Sequence, residues 1–325
     1  MRTIFHVVRA LTAVLAFAAS TSAFAQAYPT KPIRLIVPFP PGGAVDFYAR
    51  VVQQPLAEML GQPVVIENKA GASGMVGADF VSKSAPDGYT LLLGNIASLA
   101  INVGIYPKMA YDPLKDLTPI VRTVDVNYVL VVHPSVPATT VPELVAYAKA
   151  NPRKLAYGSA GSGSLPHLGT ELFKAQTGTD MIHVPYKGGG PMVTDLLGGS
   201  IQVVIGDQAN LMSHVTTGKL RALAVATAKR SPNAPDLPTI AETGLTGFDA
   251  TAWQGLVGPA GISPEIVKRL NEAFNKVMAM PAARDKFVSG GLDPVGGTPE
   301  QFGRFIAAEI AKWTKIAKDV GAKAD

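Results

Sequence analysis

The sequence predicts an α/β protein made of two doubly wound domains, between which the chain crosses twice. Apolar runs of strand length alternate with helix-like segments from residue 33 to residue 257. Four of the strand-like runs end in loops rich in glycine, serine or asparagine. The last sixty residues read as helices without a sheet of their own to cover, so we expect them to fold back onto the first domain.

The first 25 residues have the features of a cleaved export signal. Arg2 and Arg9 flank the start of an apolar segment that is too short to span a bilayer, and Ala23-Phe24-Ala25 fits the small-residue cleavage rule. Cleavage after Ala25 would leave 300 residues with a net charge of +3 in place of +5. That length suggests two domains in the exported protein.

Composition excludes several kinds of protein. With no cysteine, the chain has neither disulfides nor thiolate metal sites. It has no further segment of membrane length and no basic run, which argues against membrane insertion and nucleic-acid binding. The histidines outside the leader lack metal-ligand spacing, and no P-loop or GxGxxG motif occurs, so we expect neither a metal nor a cofactor. We expect the exported protein to be a soluble monomer.

In the first domain, the apolar run that starts at Ile33 predicts a strand ending at Pro38, followed by a helix from Ala44. We expect strands over 63–67 and 89–94, with a helix over 74–84 between them. The spacing is typical of parallel α/β units.

The second domain repeats this alternation of strands and helices. Thr140 and Glu143 form a capping-box pattern that predicts a helix to about residue 150. The predicted strands cover 128–133, 155–158, 181–185, 201–205 and 220–226, and the other predicted helices cover 165–176, 191–197 and 211–217.

A segment rich in proline, asparagine and glycine, 230–247, predicts a surface excursion before a strand over 251–257. Ser263 before Pro264, Pro281, and the capping box of Thr298 with Gln301 predict three C-terminal helices. We place the two crossings near residues 124 and 252. Domain 1 would then comprise 26–124 with 252–325, domain 2 would comprise 125–251, and a ligand cleft would lie between them.

The four strand-ending loops are the candidate binding elements, because the carboxyl ends of strands form the ligand face of open α/β sheets. Helix N-termini in such loops offer unpaired amides to an anion. An ordinary strand-to-helix connection remains the alternative for the first loop, and a flexible linker remains the alternative for the third. The candidate residues are Phe39, Pro41, Gly42 and Gly43 in the first loop, Asn95 and Ser98 in the second, Ser159, Ala160, Gly161, Ser162 and Ser164 in the third, and Tyr186 and Lys187 in the fourth.

Four polar residues in or near these loops have two readings each. Ser164 and His167 could form a nucleophile and base, but a histidine near a helix start more often caps the helix or lines a pocket, and no orienting carboxylate is evident. Asp207 could face the cleft or cap a helix, and Lys187 could bind the ligand or be solvated. No GxSxG or HExxH motif supports catalysis.

Four segments together resemble the Bug family, the TctC-like periplasmic receptors of tripartite tricarboxylate transporters. The similarity runs from Tyr28 to the C-terminal helix. The segments are YPTKPIRLIVPFPPGGAVDFYAR, AYGSAGSGSLPHLGTELF, HVPYKGGGPMVTDLLGGSIQVVIGD and WQGLVGPAGISPEIVKRLN.

The resemblance implies a periplasmic-binding-protein (Venus flytrap, type II-like) arrangement and capture of a small organic acid without catalysis. It also implies delivery to the membrane subunits of a transporter, although a role in a sensing pathway remains the alternative. In that family a carboxylate is held between the PFPPGG loop and the Gly/Ser loop. Val45 and Leu99 replace residues that are often polar in relatives, which favours a less polar or aromatic acid over citrate.

Overall fold

The computed structural model describes residues 28–323, which form two β-sheets with helices packed around them. The first sheet has the spatial order β11-β4-β10-β3-β1-β2. Its strands are β1 (Ile33–Val37), β2 (Val64–Asn68), β3 (Thr90–Asn95), β4 (Leu117–Val126), β10 (Ala252–Pro259) and β11 (Leu292–Pro294).

The second sheet has the spatial order β7-β6-β8-β5-β9. Its strands are β5 (Tyr128–Val132), β6 (Ala156–Ser159), β7 (Ile182–Pro185), β8 (Val203–Asp207) and β9 (Arg221–Val225). The chain leaves the first sheet after β4 and returns to it at β10. The predicted fold class is therefore confirmed, whereas the exact domain boundaries stay a prediction.

Both sheets contain parallel and antiparallel pairs. β1 lies parallel to β2 and β3, and β6 lies parallel to β7 and β8. β10 is antiparallel to both β3 and β4, and β5 is antiparallel to β8 and β9. β10 thus lies in the middle of the first sheet, although it follows the entire second sheet in sequence.

Helices connect the strands. They are α1 (Ala44–Leu60), α2 (Met75–Ser82), α3 (Asn102–Ile105), α4 (Val141–Ala150), α5 (Leu165–Thr177), α6 (Gly189–Leu197), α7 (Gln208–Thr216), α8 (Pro264–Ala279), α9 (Pro281–Ser289) and α10 (Pro299–Asp319).

The predicted helix starts are found in the structure. Thr298 and Gln301 form the full capping box of α10, and Ser263 accepts a hydrogen bond from the Ile266 amide. At α4 the Thr140 hydroxyl accepts from the Glu143 amide, but the Glu143 carboxylate accepts from the Thr139 amide and hydroxyl. The short local signals therefore locate helix ends to within about two residues, as capping chemistry allows.

Two strands, β4 and β11, were not predicted from the sequence. β4 carries Pro119 in its interior, and proline normally argues against a central strand. In the structure Pro119 pairs with Val257 next to a register shift between Leu256 and Val257, which is where a strand tolerates a missing amide donor. β11 is only three residues long and its sequence has no strand pattern.

The C-terminal helices pack on the first sheet, as expected. Leu270 and Phe274 of α8 and Phe302 of α10 are buried. Phe302 lies so close to β10 that a Cβ atom added at Gly255 would come within 2.0 Å of the Phe302 ring, so only glycine fits at that position.

Within 28–323, no helix has the length and apolar character needed to cross a membrane. The predicted export signal, residues 1–25, lies outside the described residues.

Candidate functional site

Two adjoining cavities lie between the sheets. We call them the small chamber, of about 270 Å³, and the large chamber, of about 670 Å³. Residues from both sides of the cleft line both cavities, so a ligand in either one would contact both sheets' loops. The shared lining residues are Phe39, Ala44, Tyr128, Ala160, Pro166 and Asp207.

The first loop supplies the start of α1 to this cleft. Phe39 lines both chambers and Gly43 lines the large one, whereas Pro41 and Gly42 are exposed and line neither. Gly42 has a φ of +90°, a conformation that favours glycine. Gly43 has no side chain that could cap α1. Ala44, the first residue of α1, lines both chambers, so the N-terminus of this helix lies at the cleft.

A buried carboxylate holds this loop in place. Asp46 is 2% exposed; its Oδ2 accepts from the Gly42 amide at 3.0 Å and from Arg50 Nε at 2.8 Å. Its Oδ1 accepts from Arg50 Nη2 at 3.1 Å and from Asn68 Nδ2 at 3.0 Å. These bonds, that to Arg50 foremost, lower the pKa of Asp46 to about 2. Asp46 and Arg50 therefore have a structural role at the start of α1.

Replacing Asp46 with alanine is expected to lower the free energy of unfolding by about 2–3 kcal/mol, because four hydrogen bonds to a charged group are lost. Since the folded pKa lies below the unfolded value, this contribution is full above about pH 4 and disappears as the pH falls through about 2. Urea unfolding of both proteins across this pH range measures it. Arg50 is more than half exposed, so Arg50→Ala should lower the free energy of unfolding by less than about 1 kcal/mol. If Asp46→Ala and Arg50→Ala lowered it equally, Asp46 would not be the anchor of this loop.

The second loop presents Asn95 but not Ser98. Asn95 lines the small chamber, and its Oδ1 accepts from the amides of Ala97 and Ser98, both at 3.1 Å. Ser98 is fully buried and its hydroxyl donates to the Asn95 carbonyl oxygen. Ser98 therefore shapes the turn and lines neither chamber. Leu99 is also fully buried, whereas Val45 lines the small chamber.

In the third loop, Ala160 and Ser164 reach the cleft. Ala160 lines both chambers and Ser164 lines the small one, whereas Ser159, Gly161 and Ser162 line neither. The Ser159 hydroxyl is buried, 2.7 Å from Nε2 of His183. The Ser164 hydroxyl donates to the Gly161 carbonyl oxygen at 2.7 Å. Consequently the Ser164 side chain does not cap the N-terminus of α5.

His167 contacts the backbone of this loop. Its Nδ1 accepts from the Gly163 amide at 3.0 Å. Its ring stacks on that of His183, with ring centroids 4.1 Å apart, and the Tyr157 ring also stacks on His183, with centroids 4.9 Å apart. His167 is buried and lines neither chamber. The proton of Ser164 is committed to a carbonyl oxygen, an arrangement unlike that of a nucleophile and its base.

The fourth loop contributes backbone where we expected side chains. The Tyr186 hydroxyl donates to Asp195 Oδ2 at 2.7 Å, and Lys187 is exposed. Neither lines a chamber. Gly189 and Gly190, which open α6, line the large chamber.

Asp207 combines its two predicted roles. Its Oδ1 accepts from the Ala209 amide at 2.9 Å and so caps α7, and the residue also lines both chambers. Burial raises the pKa of Asp207 above its usual value. Among the described residues that line either chamber, none is lysine, arginine or histidine. An anion in the cleft would therefore meet neutral donors and helix N-termini, with the Asp207 carboxyl group as the acidic side chain beside it.

Many lining residues were not among the sequence candidates, and Tyr128 and Gln254 are two of them. Tyr128 lines both chambers, and Gln254 lines the small one. Gln254 is 1% exposed, and neither its Nε2 nor its Oε1 has a hydrogen-bond partner among the residues that the structure describes. In the sequence, Gln254 stands out only as a polar residue within the otherwise apolar run of β10.

Known proteins are similar to this chain in sequence. Protein BugT of Bordetella pertussis is 42% identical over 300 residues, covering 92% of each chain. A Pseudomonas sp. (strain P51) protein, described by its position in the tcbD-tcbE intergenic region, is 36% identical over 292 residues, covering 90% of this chain and 87% of its own.

Solved structures of related proteins have a similar fold. Rpa4515 of R. palustris with adipate has a TM-score of 0.80 and 40% identity, covering 91% of this chain and 99% of its own. MatC of Rhodopseudomonas palustris with bound malate has a TM-score of 0.76 and 31% identity, covering 89% of this chain and 99% of its own. Residues 48–322 match the family described as tripartite tricarboxylate transporter family receptor. The chain therefore belongs to this family of TctC or Bug solute-binding proteins.

Proposed function

We propose that this protein captures a small organic acid in the cleft between its sheets and performs no chemical step on it. In this proposal the chain is exported to the periplasm, is cleaved after Ala25 and delivers its ligand to the membrane subunits of a tripartite tricarboxylate transporter. A domain closure about the two crossings, with the boundaries 26–124 plus 252–325 and 125–251, would complete the site.

One observation carries the proposal. The N-termini of α1 and α5 meet at the small chamber, and neither has a side-chain cap. Unpaired amides and helix dipoles favour a carboxylate, and neutral donors release it more readily than a buried ion pair would. The adipate and malate named for two related structures are acids of this kind.

The large chamber bears on the character of the acid. Met192, Val193 and Leu211 line it together with the Phe39 and Tyr128 rings. Such a lining suits an apolar or aromatic tail, since burial of apolar surface is favourable and a charged group there would lack a cation. Val45 likewise offers no hydroxyl to the small chamber. We therefore expect a less polar or aromatic acid to bind in preference to citrate.

A thermal-shift screen of organic acids, followed by calorimetric titration, tests this function. A binding acid raises the melting temperature, since it stabilises the folded state by RT ln(1 + [L]/Kd). We expect benzoate-like acids to bind and citrate to bind at least ~10-fold more weakly. Tight citrate binding without any binding of aromatic acids would overturn the expected preference, and no binding of any acid would overturn the function.

Two alternatives have their own measurements. Incubation with candidate esters separates a receptor from a hydrolase: the proposal requires the esters to remain intact, as the hydrogen bond of Ser164 to Gly161 suggests. Uptake of the labelled acid by cells with and without the gene separates transport from sensing. Unchanged uptake with a lost transcriptional response would favour the sensing role.

A further inference from the structure

Gln254 is a buried amide whose hydrogen-bonding capacity is unused within the described part of the protein. It lies on β10, where its backbone faces Asn95 of β3 and Val124 of β4. Gln254 is one of the residues that line the small chamber, it is 1% exposed, and both Nε2 and Oε1 lack a partner among residues 28–323. Buried side-chain amides are nearly always hydrogen-bonded, so this group indicates a binding role.

The small chamber offers donors for a carboxylate. The uncapped starts of α1 and α5 border it through Ala44 and Leu165, and Gln254 Nε2 adds a side-chain donor. A carboxylate, however, has only acceptor atoms. It could satisfy Nε2 of Gln254 but would leave Oε1 without a donor.

The same chamber also offers acceptors. Besides Gln254 Oε1, the carboxylate of Asp207 borders it, and no described basic side chain lines the chamber to pair with that charge. An acid with a hydrogen-bond donor on the carbon beside its carboxylate would present an acceptor and a donor side by side. This pattern is complementary to both ends of one amide.

We propose that Gln254 determines specificity by selecting acids that carry a hydroxyl or ammonium group on the carbon next to the carboxylate. The inference rests on the proposed capture of an organic acid and names the class of acid. Nε2 of Gln254 donates to the carboxylate, and Oε1 accepts from the adjacent group.

Calorimetric titration of the purified protein with four acids of one shape tests the class. Mandelate carries a hydroxyl beside its carboxylate, phenylglycine an ammonium group, 2-phenylpropionate a methyl group and phenylacetate a hydrogen. We expect mandelate or phenylglycine to bind about 10-fold more tightly than phenylacetate, with no such gain for 2-phenylpropionate. Lactate, alanine and propionate repeat the comparison for a short tail.

The variant Gln254→Met keeps the side-chain length and removes both hydrogen-bonding atoms. We expect the ratio between the hydroxyl or ammonium acid and its unsubstituted partner to fall to about one in this variant. Gln54→Met is the matched control, because Gln54 is exposed on α1 and lines neither chamber; it should keep the ratio of the unmodified protein.

Failure of this inference can be distinguished from failure of the proposed function. A ratio of one in the unmodified protein overturns the inference without any variant, and so does a ratio that survives Gln254→Met. In both cases binding of unsubstituted acids still supports the proposed function. Absence of binding by every member of both series, and by adipate, would overturn the proposed function and this inference with it.

Discussion

Replacing Glu309 with leucine is expected to lower the free energy of unfolding by about 3–5 kcal/mol. Glu309 of α10 is 6% exposed, and its Oε2 accepts from the indole nitrogens of Trp253 and Trp313, both at 2.9 Å. Its Oε1 accepts from Lys312 Nζ at 3.1 Å. Leucine would leave two buried indole donors without partners, and Lys312 would keep the longer contact to Asp249 and its contact with the Trp313 ring.

Equilibrium urea unfolding followed by tryptophan fluorescence measures this loss. Glu309→Gln keeps an acceptor for the indoles and should cost only about 1 kcal/mol. Glu272→Leu, an exposed site on α8, should change stability by less than about 0.5 kcal/mol. A Glu309→Leu protein as stable as the unmodified one would mean that the desolvation of this carboxylate already offsets its three hydrogen bonds.

This cluster links the C-terminal helix to the cleft. Trp253 immediately precedes Gln254 on β10, and its ring packs edge-on against Phe302 of α10. The position of Gln254 in the small chamber therefore depends on residues that follow it by about fifty positions in the chain. The sequence alone indicated that the last helices fold back, but not that they fix a lining residue.

Local chemistry explains which parts of the fold could be predicted. The alternation of apolar runs and the caps at Thr140, Ser263 and Thr298 are short-range signals, so most strands and helices were found. β4 was missed because its Pro119 is tolerated only through pairing with a distant strand that shifts register there. Long-range pairing of this kind has no local signature.

The difference between local and long-range signals also explains which features of the candidate site could be predicted. Glycines and strand ends mark the first and third loops in the sequence, and Phe39 and Ala160 of these loops line both chambers. That these loops bind the ligand stays a prediction. The direction of individual side chains was not predictable: Ser159 turns inward to His183, and Tyr186 turns to Asp195. We therefore expect the loops to act mainly through backbone amides, as a neutral cradle for an anion requires.

Ala160→Trp is expected to weaken acid binding by at least ~100-fold, because Ala160 lies where the two chambers join. An indole ring added there would project into the junction of the two chambers and exclude a ligand from it. The residue is only half-buried in a loop after β6, so the ring has room to be accommodated without disrupting the core. The melting temperature of the unliganded protein should change little.

Titration with an acid that binds the unmodified protein, adipate among the probes, measures the loss. Ser162→Trp is the matched control: it places the same ring two residues further along the same loop, at a position that lines neither chamber. Ser162→Trp should retain binding, and Ala160→Ser should as well, since a hydroxyl adds little volume. Equal binding by Ala160→Trp and Ser162→Trp would mean that the acid binds outside these chambers, since a ligand held between the α1 and α5 N-termini cannot coexist with an indole at their junction.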